Sequence, residues 1–395
     1  MQTILTVNGG SSSLKCALFE LRNGALTLLY GFKLGNILNT PRFKVKDASG
    51  ATLEQSTPDY QSVPKEERHQ ACLQTILNWL SQHLPESSLV AIGHRVVHGG
   101  EIFSEPCIVT SEVKAQLEKF IPLAPLHQPY NLRLIEACQA LEPTLPQIAC
   151  FDTMFHSKQS NLEKNYALPR QYTDEGVRRY GFHGLSYEFI QRQLTQLQSP
   201  SLNTVVCHLG AGASMCAIKN GVSIASSMGF TAVDGLPMGS RCGNIDPGVL
   251  LYLQRQHQMD ADQLETLIYK QSGWLGVSGI SSDMLELHRA EQPEAEEAIE
   301  MFCYRAALEI GRLSAALEGL GQIVFTGGVG ENDADVRQRI LNRCRWLGIT
   351  YSEDANQNNE NIISLNDSAV TVRVIATNEE AMIATHVLEI TKAHS

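Results

Sequence analysis

Apolar runs and short polar turns alternate over the first 35 residues of the chain. The run TILTVN is followed by the loop GGSS and a second run, SLKCALFEL. The dipeptide Asn23-Gly24 then separates this run from a third one, ALTLLYGFKL. Asn-Gly between two apolar runs is a strong local indicator of a β-hairpin. The pattern predicts three strands that are joined by a serine- and glycine-rich loop and by a tight turn.

The same pattern returns about 200 residues later, in NTVVCHLGAGASMCAIKNGVSIAS (203–226). Gly10 of the first loop is matched by Gly210, and the Asn-Gly turn recurs at Asn220-Gly221. We interpret the two segments as copies of one supersecondary unit. Two similar domains that face each other would place two loops suited to phosphate across one cleft.

Helical periodicity fills much of the remaining chain. Apolar residues on one face predict a helix over 65–84, and Pro293 and Gly319 bound a long helical pattern. Shorter helices are predicted over 333–346 and 378–390, and the Asn-rich stretch 350–368 is predicted to be an exposed loop with at most one short strand.

Length, charge and cysteine content narrow the class of protein. A chain of 395 residues suits two domains, and a net charge of −11 argues against a nucleic-acid-binding protein. Apolar runs are far shorter than the roughly 20 residues of a membrane-spanning helix. The ten cysteines form no CxxC pair, and no secretory signal is visible. We therefore expect a cytoplasmic protein with reduced thiols and no zinc site.

Two glycine-rich loops have the composition of phosphate sites. NGGSSSLK (8–15) offers backbone amides, three hydroxyls and one lysine, although the Walker pattern is absent. FTGGVGEN (325–332) follows an apolar strand and opens a helix, where a nucleotide can approach the backbone. An ordinary hairpin explains the first loop about equally well, and a tight strand-to-helix turn is the alternative for the second.

Two arginines lie in glycine-containing segments, in positions that favour ligands over packing. Arg95 belongs to GHRVVHGG and Arg241 to GLPMGSRCGNIDPG. The guanidinium group binds carboxylate or phosphate through two parallel hydrogen bonds. Taken singly, each arginine fits a surface salt bridge better.

Several other polar residues occupy positions that suit an active site. Asp152 follows the buried strand IACF, where ligands collect in α/β folds, although a helix cap or turn is the alternative. Thr377 and Glu380 have the spacing of a capping box, which would leave Glu379 free for a metal. Histidines beside glycine or proline, or in loops, are candidates of the same kind, against a structural role for each: His127, His156, His183 and His208.

The ordered motifs resemble one family from end to end. They are NGGSSSLK, GHRVVHGGE, APLHQPYN, FDTMFH, RRYGFHGLSY, HLGAGAS, MGSRCGNIDPG, FTGGVGEN and TNEE. Together they are similar to those of the acetate and propionate kinase family. The resemblance implies an α/β fold, the duplicated two-domain fold of sugar kinases, actin and chaperone ATPases, with ribonuclease H-like βββαβαβα repeats and a nucleotide cleft. The implied domains are 1–150 plus about 381–395, and a nucleotide-binding 151–380.

The resemblance also implies an activity, a metal and partners. It implies a cytoplasmic phosphotransferase that converts ATP and acetate to ADP and acetyl phosphate with Mg²⁺, for which Mn²⁺ can substitute. The implied partners are small molecules and a second copy of the chain, in a homodimer built through the second domain, with neither nucleic acid nor membrane. Propionate or butyrate kinase, a sugar kinase with Asp152 as base, and a nucleotide-gated assembly protein are the alternatives.

Site residues follow from the matching motifs. The implied catalytic residues are Asp152, His183, Arg241 and Arg95. Acetate would contact Arg95 and His127, with Val97, Leu126 and Pro237 as candidate walls. The implied nucleotide and phosphate residues are Ser11, Ser13, Lys15, His208, Gly210, Ala211, Gly212, Asp283, Met284, Leu285, Gly328, Gly330, Glu331 and Asn332. Asn8 and Glu379 are the implied metal residues.

Four positions depart from the family pattern. Ala211 replaces an asparagine in a phosphate loop, Met284 and Leu285 replace Phe-Arg near the adenosine, and Asn244 replaces an aspartate. The changes at Ala211, Met284 and Leu285 concern nucleotide affinity or base preference, and the change at Asn244 is a smaller one. The transfer chemistry itself demands cations rather than a base, since acetate arrives ionised and two like charges about 4 Å apart repel by about 4 kcal/mol in a partly screened site.

Overall fold

The computed structural model describes residues 1–10, 13–125, 127–198 and 203–393. The chain divides into two compact units, Met1–Met154 with Asn378–Ser395, and Phe155–Thr377. Each unit is built on one β-sheet. Among the helices of the described ranges, none combines the length and hydropathy that crossing a bilayer requires.

The sheet of the first unit has eight strands, in the order β5-β4-β3-β2-β1-β6-β8-β7. Its strands are β1 (Gln2–Gly9), β2 (Ser13–Arg22), β3 (Ala25–Gly35), β4 (Arg42–Asp47), β5 (Thr52–Ser56), β6 (Ser88–Val96), β7 (Cys107–Ile108) and β8 (Gln147–Phe151). β1 is antiparallel to β2 and parallel to β6, and β6 is parallel to β8. The carboxyl ends of β1, β6 and β8 therefore meet at one edge of the sheet.

The second sheet has five strands, in the order β11-β10-β9-β12-β13. They are β9 (Thr204–His208), β10 (Ser214–Lys219), β11 (Val222–Ser226), β12 (Gln322–Thr326) and β13 (Thr371–Val374). β9 runs parallel to β12, with His208 opposite Thr326. Both strands end in glycine-rich segments, so these two segments lie side by side.

Fifteen α-helices surround the sheets in the described ranges. They are α1 (Arg68–His83), α2 (Ser111–Glu118), α3 (Gln128–Leu141), α4 (Asn161–Lys164), α5 (Arg170–Asp174), α6 (Gly184–Gln196), α7 (Pro247–Gln256), α8 (Ala261–Lys270), α9 (Gly273–Ser278), α10 (Met284–Arg289), α11 (Pro293–Ala316), α12 (Gly327–Asn332), α13 (Ala334–Arg343), α14 (Glu353–Gln357) and α15 (Glu379–Ala393). Four predicted helices are confirmed as α1, α11, α13 and α15, with ends that differ by a few residues.

The internal repeat is confirmed in the strands and in the turns. β1, β2 and β3 form an antiparallel meander, and so do β9, β10 and β11. Asn23 and Gly24 have φ values of 52° and 76°, and Asn220 and Gly221 have 52° and 78°. Positive φ at both central residues is the geometry that Asn-Gly favours, because its twist matches that of the strands.

One glycine fixes how the last helix packs on the first sheet. α15 lies against β1 and β6. A Cβ atom added to Gly93 of β6 would lie 2.5 Å from the Ile383 side chain. The absent side chain lets α15 approach the sheet closely, which brings the start of the helix to the edge where β1 and β6 end.

Two predictions about the C-terminal third were wrong. Glu380 does not close a capping box with Thr377, because Asn378 caps α15 instead: its Oδ1 accepts a hydrogen bond from the Ala381 amide at 2.9 Å. The predicted loop 350–368 contains the short helix α14, which begins after Ser352, whose hydroxyl caps it.

Candidate functional site

In the first unit, Arg95 forms a two-pronged ion pair with Asp152. Arg95 lies near the end of β6 and Asp152 directly follows β8, its parallel neighbour. The Arg95 Nε atom donates to both Asp152 oxygens at 3.0 Å, and Nη2 donates to Oδ2 at 2.5 Å. Asp152 is only 1% exposed. The aspartate therefore serves chiefly to orient the guanidinium group.

Asn8, Glu379 and Glu380 complete the cluster around Arg95. The Arg95 Nη1 atom donates to Asn8 Oδ1 at 3.1 Å and lies 3.8 Å from Glu379 Oε2. Asn8 Nδ2 donates to Glu379 Oε2 and Glu380 Oε1, both at 3.3 Å. The first unit thus brings together four residues predicted for the site, namely Asn8, Arg95, Asp152 and Glu379. Glu380 also belongs to the cluster, although the sequence analysis had assigned it to a capping box with Thr377.

Burial and charge act in opposite directions on the central pair. Burial would lower the pKa of Arg95, but the Asp152 and Glu379 carboxylates outweigh it and raise the pKa, so Arg95 remains charged. Burial raises the pKa of Asp152, and the Arg95 guanidinium opposes that rise. Asp152 accepts three hydrogen bonds from Arg95, as an ionised carboxylate does.

The cluster fits a metal that is held only partly by protein. No group of three or more His, Cys, Asp or Glu residues that could hold a metal occurs in the described ranges. Mg²⁺ commonly binds one or two carboxylates and completes its octahedron with water and substrate phosphates. Glu379 is 14% exposed at its side chain and can offer such a carboxylate, with the Asn8 amide oxygen beside it.

Two buried amides, which sequence reasoning missed, hold the backbone beside Arg95. Asn131 Oδ1 accepts from the Val97 amide at 3.0 Å, and Asn131 Nδ2 donates to the Gly9 carbonyl at 3.2 Å. Gln128 bonds both the amide and the carbonyl of His98. Both residues lie on α3 and are almost fully buried. Both residues belong to the motif APLHQPYN, but the motif alone does not show that they are buried.

The remaining predicted residues of the first unit have varied positions. Val97 is buried, His127 immediately precedes α3, and Ser13 opens β2. Lys15 is exposed and lies opposite Asn8 in the register. The predictions for Ser11 and Leu126 fall outside the described residues.

In the second unit, His183 is held in an unusual backbone conformation. It precedes α6 with φ 56°, in the left-handed region. Its Nδ1 atom lies 2.8 Å from Ser214 Oγ, which also bonds the Tyr187 hydroxyl. Its ring stacks on that of His208, with centroids 4.3 Å apart. The Ser214 hydroxyl and the stacked His208 ring therefore fix the position of the His183 imidazole.

His208 is anchored through a chain of hydroxyls. Its Nδ1 atom lies 2.8 Å from Ser186 Oγ, which lies 2.8 Å from Thr377 Oγ1. Ser186, Ser214 and Tyr187 were not predicted. His156 has a structural role, because it is fully buried between Ser223 Oγ and the Phe182 carbonyl, and burial lowers its pKa to about 4.

Arg241 lies on a loop that is closed by Asn244. The Asn244 amide donates to the Gly235 carbonyl at 2.8 Å, and Asn244 Oδ1 accepts from the Gly235 amide at 2.9 Å. Arg241 Nη1 donates to the Ala232 carbonyl at 3.0 Å. Pro237, within the loop, is buried. The asparagine at 244 therefore supports the loop that carries Arg241.

A cavity of about 610 Å³ in the second unit gathers half of the residues predicted for the nucleotide. The predicted residues that line it are Gly210, Ala211, Asp283, Met284, Leu285, Gly328 and Asn332. Trp274, His288 and Asp333 are further wall residues that sequence reasoning missed. Its size and its glycine-rich wall suit a nucleoside with attached phosphates.

Glu331 shapes the glycine segment from within. Its Oε1 atom accepts from the Gly327 amide at 2.8 Å and from the Thr377 amide at 3.0 Å. Gly327 has φ 77°, and a Cβ atom there would lie 2.7 Å from the Leu209 carbonyl oxygen. The predicted Gly330 and Gly212 belong to the same two segments but do not line the cavity. Glu331 thus supports the cavity wall through backbone amides.

A buried arginine joins two walls of the same cavity. Arg337 Nη1 donates to the Gly330 carbonyl at 2.9 Å, and Nη2 donates to the Asn356 carbonyl at 2.6 Å. Its Nε atom donates to Asn356 Oδ1 at 2.8 Å. Arg337 is 0% exposed, and burial lowers its pKa to about 10, so it keeps its charge at neutral pH. It ties α12 to α14, the helix that ends at the wall residue Gln357.

Arg337→Gln is expected to raise the KM for the nucleotide about tenfold and to leave the KM for the second substrate unchanged. The shortened side chain cannot bridge α12 and α14, and unpaired buried carbonyls cost about 1 to 3 kcal/mol each, so the melting temperature falls as well. Initial-rate kinetics and thermal unfolding measure both effects. Arg345→Gln removes an exposed arginine near by and serves as the control. Equal KM changes for the two substrates would exclude the wall-positioning role.

Comparison with known proteins matches the chain to one family. The sequence model of the Acetokinase family matches residues 3–385. The acetate kinase of Rhodopseudomonas palustris (strain ATCC BAA-98 / CGA009) is 48% identical over 391 residues, which cover 97% of this chain and 97% of that protein. The acetate kinase of Methylocella silvestris is 46% identical over 394 residues, with coverage of 98% and 97%.

Solved structures agree with the sequence comparisons. A propionate kinase from Francisella tularensis superposes with a TM-score of 0.90 at 34% identity, over 98% of this chain and 99% of that one. The acetate kinase of Porphyromonas gingivalis superposes with a TM-score of 0.87 at 36% identity, over 99% and 100%. The expected fold is therefore confirmed.

Proposed function

The chain belongs to the acetokinase family, and on that premise we propose that it catalyses reversible phosphoryl transfer between ATP and acetate, giving acetyl phosphate and ADP. The observation that carries the proposal is the Arg95 cluster. It presents a permanently charged guanidinium group, oriented by Asp152, at the edge where β1, β6 and β8 end. A carboxylate substrate is bound by such a group without any proton transfer.

The engagement of Asp152 argues against a hydroxyl acceptor. A sugar kinase needs a base to accept the proton of the attacking hydroxyl. Asp152 instead accepts three hydrogen bonds from Arg95 and is buried. Acetate is already ionised at neutral pH, so a site rich in cations and without a free base suits it as the nucleophile.

We propose that the other polar groups neutralise charge on the transferring phosphoryl group. His183, whose Nδ1 is held by Ser214, donates from Nε2, and Arg241 supplies a second guanidinium group. Asn8 and Glu379 would hold Mg²⁺, which would supply charge neutralisation on the phosphates. The 610 Å³ cavity binds the nucleoside. The hydrogen-bond donors of His183 and Arg241 act where negative charge develops during in-line transfer.

One assay tests the proposed reaction. The purified protein is incubated with ATP and Mg²⁺ and with acetate, propionate, butyrate or a panel of sugars as acceptor. Hydroxylamine traps acyl phosphates as hydroxamates, and ADP release measures transfer to the sugars, whose phosphate esters hydroxylamine does not trap. We expect the highest kcat/KM with acetate. One methylene changes binding in an apolar pocket by only about 1 to 3 kcal/mol, so weaker turnover of propionate is also expected. Higher kcat/KM for propionate or butyrate, or transfer to sugars alone, would overturn the proposal.

Asp152→Asn is expected to lower kcat/KM for acetate about a hundredfold, because a guanidinium group misplaced by about 1 Å costs that much. The surviving activity should keep the wild-type pH dependence, since Asp152 transfers no proton. The measurement is a pH profile of kcat/KM for both proteins. Intact turnover would remove Asp152 from the mechanism, and the disappearance of one limb of the profile would identify it as a base.

We also propose that the second unit forms a homodimer through α7 and α8. Both helices carry apolar residues, yet neither buries a single residue within the chain. Leu251 and Tyr252 of α7 are 49% and 58% exposed. An exposed apolar face of this kind is typical of an interface between subunits. We expect Leu251→Glu to convert the dimer to monomer in light scattering, with Leu162→Glu, at a residue 96% exposed, as the control.

A further inference from the structure

A row of basic side chains crosses one face of the first unit's sheet. The strand register pairs Lys15 with Lys33 and Lys33 with Lys44. Residues directly opposite on neighbouring strands point to the same face, so these three ammonium groups share it. Arg42 and Lys46 of β4 lie two residues to either side of Lys44 and point the same way. We name these five residues the basic ladder.

The basic ladder faces solvent without acidic partners. Lys15, Lys33, Arg42 and Lys46 are exposed and Lys44 is half-buried. Within the described ranges, the structure gives none of the five an ion pair. Like charges directly opposite each other on neighbouring strands destabilise a sheet. Such a row, in a chain of net charge −11, is therefore best explained by an anionic ligand.

Glycines leave the space between these side chains open. Gly31 and Gly35 flank Lys33 on β3 and lie opposite Lys46 and Arg42. A Cβ atom added at either glycine would meet no atom within 4 Å. Two strand spacings of about 4.8 Å separate Lys15 from Lys44, so the open platform is about 10 Å wide. Glycines instead of aromatic residues suit phosphate groups and give no stacking surface for bases.

The basic ladder begins at the Arg95 cluster. Lys15 lies opposite Asn8 in the register, and Asn8 Oδ1 accepts a hydrogen bond from Arg95. The row therefore continues as Asn8, Lys15, Lys33 and Lys44 across four adjacent strands. An anion that binds to the ladder can diffuse along one face of the sheet to the proposed transfer site.

We propose that the basic ladder is a capture surface for the phosphate-bearing substrates, ATP and acetyl phosphate. The inference rests on the proposed function, because it assumes that the phosphoryl group reacts beside Arg95. A patch of one charge raises the local concentration of an oppositely charged substrate and its association rate, by about 10- to 1000-fold in strong cases. The effect on acetate, a monoanion, is smaller than the effect on the two multiply charged substrates.

The test compares two triple variants with the same change in net charge. Lys33→Gln, Lys44→Gln and Lys46→Gln together remove three of the four ladder cations beyond Lys15 and leave Arg42 in place. Lys65→Gln, Lys119→Gln and Lys158→Gln together remove three exposed lysines elsewhere. At low ionic strength we expect the ladder variant to raise the KM for ATP and acetyl phosphate about threefold to tenfold, with kcat unchanged. The difference should disappear near 0.5 M salt, where screening is strong. The control variant should match the wild type.

A second measurement separates this inference from the proposed function. Binding of inorganic tripolyphosphate, followed by calorimetry at low salt, requires no turnover and should weaken about threefold or more in the ladder variant alone. An effect on KM confined to ATP, or to acetyl phosphate, would identify which substrate the surface captures. Equal behaviour of the two triple variants in both measurements would overturn the inference, whereas failure of the wild type to phosphorylate acetate would overturn only the proposed function.

Discussion

Replacing Arg95 with alanine is expected to lower kcat/KM for acetate by about 10² to 10³, the usual effect of losing one oriented donor at a site of developing charge. The KM for acetate should rise far more than the KM for ATP, because Arg95 binds the carboxylate. The variant should also lose about 3 to 5 kcal/mol of stability, since Asp152 would remain buried and unpaired. Steady-state kinetics with both substrates and denaturant unfolding measure these effects.

Two further variants separate charge, geometry and stability at this position. Arg95→Lys keeps a positive charge but loses the two parallel hydrogen bonds that Nε and Nη2 donate to Asp152, so we expect intermediate activity. Combining Arg95→Ala with Asp152→Asn removes the stranded carboxylate and should recover most of the lost stability while activity stays low. An equal rise of both KM values in Arg95→Ala would refute the assignment of Arg95 to acetate.

Replacing His183 with alanine is expected to lower kcat by about 10² to 10³ and to change both KM values little. The reason is that the proposed Nε2 donor acts on charge that develops only in the transition state. Single-turnover kinetics with ATP and acetate measure the chemical step directly. A loss that appears in the KM for ATP alone would place His183 in nucleotide binding and remove it from the transfer step.

The backbone conformation at position 183 determines which substitution is a suitable control for His183→Ala. His183 has φ 56°, which alanine tolerates poorly, whereas asparagine adopts this region readily. His183→Asn should therefore fold like the wild type and still lose the transfer rate. Ser214→Ala keeps the imidazole but removes the partner of Nδ1, so it should lose about tenfold in kcat and shift the pH profile. Wild-type behaviour in both variants would contradict the role assigned to His183.

Local signals in the sequence predicted the repeated strands well. Both residues of each Asn-Gly turn readily adopt positive φ. Because apolar runs flank each turn, the sequence predicts a hairpin there. Long periodic segments such as α11 were equally clear. The start of α15 was mispredicted because Thr377 and Asn378 both have capping side chains, and the choice between them depends on tertiary contacts: Thr377 bonds Ser186 instead.

The sequence predicted the residues of the candidate site that face the ligand, but it did not predict the residues that hold them in place. Arg95 and Asp152 stand out because each ends or follows a strand, yet nothing in the spacing of 57 residues between them reveals that they pair. Arg337 was missed because a polar residue within a helical pattern looks like a solvent-facing position until the packing is known. Asn131 was missed because no helix was predicted over α3. Supporting contacts join residues far apart in sequence, and local patterns carry no information about them.

The bonds that Arg337 and Glu331 make to the glycine segment have a thermodynamic consequence. The side chains of Arg337 and Glu331 already hold the backbone of this segment. The segment therefore loses little conformational entropy when a ligand binds. We expect nucleotide association to be accompanied by almost no additional amide-exchange protection in residues 327–332. The affinity would then arise from direct contacts with the ligand, with no folding of the segment around it.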